Sequence, residues 1–82
     1  MMKFSTLVHK VTIQGNVCVT IPNDDPSLEK VYYFDQVESL AASVADVARK
    51  NKFGGLDVLY MFCPDDGYLH IELGKEIKGS DL

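Results

Sequence analysis

Eighty-two residues allow one small domain with a single core and little volume for a deep catalytic cavity. An apolar fraction of 46% and a charged fraction of 24% are those of an ordinary globular chain, and no run approaches the ~20 apolar residues of a membrane span. The net charge of −4, with the only basic cluster at Arg49, Lys50 and Lys52, excludes the broad basic face of a phosphate-tracking nucleic-acid binder and favours a basic protein partner.

The chain opens on MMKFSTLVHKVTI. His9 and Lys10 interrupt its apolar run and no small-residue cleavage site follows, so it reads as a strand and not as a signal peptide. That reading places the protein in the cytoplasm, or in a host cytoplasm if a mobile element encodes it. Leu7, Val11 and Ile13 are followed by Val17, Val19 and Ile21, two apolar sets flanking Gln14, Gly15 and Asn16. Paired residues of a hairpin share a face, so a two-residue Gly15–Asn16 turn would set the two apolar sets on opposite faces. A three-residue Gln14–Asn16 loop instead pairs Ile13 with Val17 and Val11 with Val19, and unites them. The predicted first unit is that hairpin.

Asn23–Ser27 is a loop by composition, and it carries the first acidic pair, Asp24 and Asp25. Residues 29–34, rich in aromatics, form a short strand at a sheet edge. Asp35 and Glu38 make a capping-box-like helix start. Val37, Leu40, Ala41, Val44, Val47 and Ala48 then follow at helical spacing, until Gly54 and Gly55 end the element.

The last hairpin turns at Pro64–Asp65–Asp66–Gly67, where proline fixes one φ and glycine takes the left-handed position. A four-residue loop pairs Cys63 with Tyr68, Phe62 with Leu69, Tyr60 with Ile71 and Val58 with Leu73. Tyr60, Phe62, Leu69, Ile71 and Leu73 then face the core, with Phe62 as a core residue. Residues 1–74 form the domain, and residues 75–82 a polar tail.

The fold class that follows is α+β in two layers: hairpin, short strand, helix, hairpin. One helix covers one face of a four- to five-stranded, mainly antiparallel sheet. The hairpin–helix–hairpin order resembles that of β-grasp and bacterial immunoglobulin-binding domains, in element order alone, which implies nothing about function.

Candidate chemistry is sparse. Cys18 and Cys63 are far apart and form no CxxC, which suits two free thiols in a reducing compartment. Cys63 with His70 would make a nucleophile–base pair only if the imidazole reached the sulfur, and the expected register separates them by one pair. Cys18, Cys63 and His70 lack the spacing and the fourth ligand of a zinc site. Asp24–Asp25 and Asp65–Asp66 lack calcium-loop spacing and are accounted for by loops. No enzyme activity, cofactor or metal is expected.

One helix cannot cover both faces of a sheet. The second face of the last hairpin, with Leu59, Met61, Cys63, Tyr68 and His70, is therefore the expected protein-contact surface. Asp24, Asp25, Asp65 and Asp66 would steer a basic partner. The functional expectation is a small acidic, non-enzymatic protein-binding module, of the kind that includes inhibitors and nucleic-acid mimics encoded by mobile elements. The alternatives are a structural subunit that dimerises through the outer face or an edge strand and, more distantly, a cysteine enzyme using Cys63 and His70.

Overall fold

The computed structural model describes residues 2–74 apart from Asp24 and Lys52, with the backbone alone for Pro26, Asp46, residues 48–51 and Phe53. The sequence-predicted tail, residues 75–82, lies outside the described residues. In chain order the elements are α1 (Phe4–Lys10), β1 (Gly15–Ile21), β2 (Lys30–Val37), α2 (Leu40–Asn51), β3 (Asp57–Phe62) and β4 (Leu69–Gly74). The four strands form one sheet in the order β2-β1-β4-β3. The central pair, β1 and β4, is parallel, and both outer pairs are antiparallel. Two helices pack on this mixed, mostly antiparallel sheet, so the α+β expectation is met with two differences.

The first difference is α1, where a strand was expected. Phe4, Leu7 and Val8 recur at helical spacing, and all three are buried in the core. The alternation of Leu7, Val11 and Ile13 competes with that helical set, and it loses because Val11 is half exposed outside the helix. No hairpin therefore forms around Gln14–Asn16; Gly15, at φ +101°, enters β1 directly. Hairpin–helix–hairpin order is still present, made by β1 with β2, α2, and β3 with β4.

The second difference is the start of α2. Asp35 lies inside β2, because pairing with β1 continues to Val37. Ser39, a preferred N-cap type, precedes the first helical residue, and the Leu40 N–H donates to the Ile13 carbonyl at 3.0 Å. Of the predicted apolar stripe, Leu40 and Val44 are buried and Ala41 and Val47 pack on the core; Val37 closes β2 instead, and the side chain of Ala48 lies outside the described residues.

The core lies on one side of the sheet. Val17 and Val19 of β1 and Ile71 and Leu73 of β4 point into it and meet Phe4, Leu7, Val8, Leu40 and Val44. Tyr32 and Phe34 of β2 pack against the same cluster, so the aromatic edge strand does not fold over the other face. The N-terminal segment is clamped to β3. Val58 N–H donates to Met2 O at 2.8 Å, Phe4 N–H to Leu56 O at 2.9 Å, and the Lys3 ammonium lies 3.2 Å from the buried Asp57 carboxylate.

Candidate site: the aromatic outer face of the sheet

The site depends on the β3–β4 register. Val58 pairs with Leu73 as predicted, but beyond Leu59 the register slips by one residue. Tyr60 pairs with Glu72, Met61 with Ile71, and Phe62 with His70. A bulge at Leu59 absorbs the extra residue and reverses the parity of the rest of the strand. Gly74 leaves the room this needs, since a Cβ there would meet Leu59 Cδ1 at 2.5 Å. At the other end the turn holds on to Tyr68. Its N–H donates to Asp66 Oδ1 at 3.0 Å, so Tyr68 belongs to the loop and not to a pair with Cys63. Gly67 does take the left-handed conformation, at φ +83°.

This correction redistributes the expected contact residues. Leu59 is half-buried in the bulge, Met61 shares the helix-side parity of Ile71, and exposed Cys63 lies beyond the end of β3. Only Tyr68 and His70 of that set stand together. Tyr60 and Phe62, expected in the core, are on the outer face instead. There the pairings Tyr33–Cys18, Cys18–His70 and His70–Phe62 make a row across all four strands. Val31, Thr20, Glu72 and Tyr60 make the next row.

The polar tips of these rings are tied down. The Tyr68 hydroxyl donates to Asp35 Oδ1, and the Tyr68 ring meets Tyr33 edge-to-face at 5.3 Å. His70 Nε2 lies 2.6 Å from Asp66 Oδ2, while the His70 ring stacks on Phe62 at 5.2 Å. The hydrogen bond to His70, followed by that from the Tyr68 N–H, holds the Asp66 carboxyl below the usual carboxylate range. Accepting the Tyr68 proton, Asp35 pushes that phenol up, because ionisation would place a second negative charge beside the first. Cys18 is 1% exposed despite facing away from the core, in the row between Tyr33 and His70. Burial pushes its thiol up, against hydrogen bonds with Thr20 and Tyr33 that lower it.

Asp66 thus belongs to the site as a brace. Asp65 is exposed in the same turn. Asp25 is occupied in its own loop, accepting from the Ser27 N–H and hydroxyl at 3.0 and 2.8 Å, and is held low by those bonds. Asp24 lies outside the described residues. Sequence reasoning missed Tyr33, Tyr60, Phe62 and Asp35. The alternation of Val31–Tyr32–Tyr33–Phe34 contained the signal for Tyr33, since it sends one tyrosine to each face. The Leu59 bulge has no comparable signature.

Cysteine chemistry finds little footing in this arrangement. His70 is engaged by Asp66 and Phe62, the cysteine across from it is Cys18, and a raised thiol pKa disfavours the thiolate. Among the described residues, no three His, Cys, Asp or Glu side chains gather where they could hold a metal ion, and no helix is long and apolar enough to cross a membrane. A concavity of about 250 Å³ opens between α1 and α2, lined mainly by apolar groups (Phe4, Val8, Ala41 and Val44), with Ser5 and His9 as its polar lining residues. Comparison with family models, curated proteins and solved structures finds no match to this chain.

Proposed function

We propose that the chain is a non-enzymatic protein-binding module, that the outer sheet face is its contact surface, and that its partner presents basic side chains, arginine above all. One observation carries the reading. The exposed rings of Tyr33 and Phe62 stand beside the half-buried rings of Tyr68 and His70, and Tyr68 and His70 are held by the carboxylates of Asp35 and Asp66. Rings fixed before binding lose little rotamer freedom on contact, which is the property of interface anchors. A guanidinium stacks on such faces and pairs with the carboxylates beside them, Glu72 included.

A stacking platform for nucleic-acid bases also uses exposed aromatics, but it needs cations to follow the phosphates. This face carries Asp35, Asp66 and Glu72 in their place, so the reading favours a protein. The same chemistry suits occupation of a partner's basic groove, in the manner of an inhibitor or nucleic-acid mimic.

The test is binding of a fluorescent arginine-rich peptide to the parent chain and to a Tyr33→Ala/Phe62→Ala double variant, at low and high salt. We expect salt-sensitive binding by the parent and at least a tenfold loss in the variant, with the same circular dichroism. Equal binding by both folded proteins, or preference for an acidic peptide, would contradict the proposal.

A further inference from the structure

Tyr60, Met61 and Phe62 are consecutive in β3 and are 62%, 52% and 43% exposed. A strand covered on one face exposes alternate residues; three large apolar residues in a row mean that this end of β3 is open on both faces. β3 is also an edge of the sheet. The first part of that edge is already served, since Lys3 bridges Asp57 antiparallel and the Val58 N–H is taken by Met2 O. The edge therefore accepts an antiparallel neighbour along Asp57 and Val58.

From Val58 to Cys63 the edge has no charge and no proline, the usual protections against pairing with another chain. The opposite edge differs. β2 carries Lys30 and Asp35 within the strand, and Gln36 at φ +49° breaks its regular backbone.

We propose that residues 59–62 of β3, with Cys63 just beyond its end, pair antiparallel with the same residues of a second copy. The occupant follows from the chemistry of the stretch. Twofold antiparallel pairing sets a segment against itself, and this segment is neutral, so two chains of net charge −4 meet there without opposing carboxylates. A basic partner would find no counter-charge. Pairing joins two four-stranded sheets edge to edge and brings Tyr60 and Phe62 of both copies together on the outer face. Since the β2 edge is unlike the β3 edge, the assembly closes at two chains.

The experiment is light scattering in a Cys63→Ser background, which removes disulfide cross-linking as a source of mass. The expected mass is twice the 9.1 kDa of one chain, falling to that of one chain in Met61→Lys with unchanged circular dichroism. Amide exchange in the unmutated chain provides a reading independent of that variant: the amides of residues 60–62 should slow as concentration rises. A single-chain mass at every concentration, a mass that grows without limit, or concentration-independent exchange at 60–62 would overturn the proposal, as would a folded Met61→Lys that keeps the double mass.

Discussion

Asp66 shows how a turn residue becomes part of a surface. An aspartate in Pro-Asp-Asp-Gly is sufficiently explained by turn formation, yet its two oxygens separately hold the Tyr68 N–H and the His70 ring. With Asp35 on the Tyr68 hydroxyl, two carboxylates fix two rings from outside the core. The ionisation of these groups sets the range in which the surface is braced. Asp66 is held below its ordinary value, so its contribution is complete above about pH 4 and is lost as pH falls through the lowered value. Tyr68 is pushed above its ordinary value, so its contribution is complete below about pH 10 and is lost as pH rises through the raised one. Ring carbon shifts of Tyr68 followed with pH should therefore show its phenol ionising above the ordinary tyrosine range. Asp35→Ala should bring it back toward that range. A Tyr68 phenol that titrates the same in the parent chain and in Asp35→Ala would mean that the Asp35 contact does not persist in solution.

The elements divide into those the sequence specifies by itself and those that depend on neighbours. Leu69, Ile71 and Leu73 alternate cleanly, and all three point to the core as expected. The stripe of α2 and the turn at Gly67 were legible for the same reason, since period and turn chemistry agree. β3 was not legible. Leu59, Tyr60, Met61 and Phe62 are all apolar, so an extra residue at Leu59 leaves no break in the pattern, and only its packing beside Gly74 decides the parity. α1 was missed because Leu7 satisfies both a helical and an alternating set, and Phe4 decides between them by burial. The register has a direct energetic consequence. Leu73→Ala should destabilise by about 2–5 kcal/mol, since its side chain is fully buried. Phe62→Ala should cost only about 1 kcal/mol, the contribution of a partly exposed ring stacked on His70. Denaturant unfolding of the two variants measures both. A loss at Phe62 as large as that at Leu73 would restore the unbulged register.

In the whole molecule, both helices lie on one side of the sheet, and the N-terminal clamp through Lys3 and Asp57 fixes α1 there. The other side retains Val31, Tyr33, Tyr60, Phe62, Tyr68 and His70 among three carboxylates. That the last hairpin keeps large apolar side chains exposed on a second face was legible in the sequence from the simple count of one covered face and two apolar ones. Which side chains occupy the outer face was not, because a one-residue slip exchanges Met61 for Tyr60 and Phe62. Titration of the labelled chain with an arginine-rich peptide, followed by amide and side-chain nuclear magnetic resonance shifts, locates the contact directly. The expected result is perturbation concentrated at Tyr33, Asp35, Phe62, Tyr68 and His70, with Leu40, Val44 and the α1 residues unmoved. Shifts confined to the helical side, or none at millimolar peptide, would contradict the assignment of the outer sheet face as the contact surface.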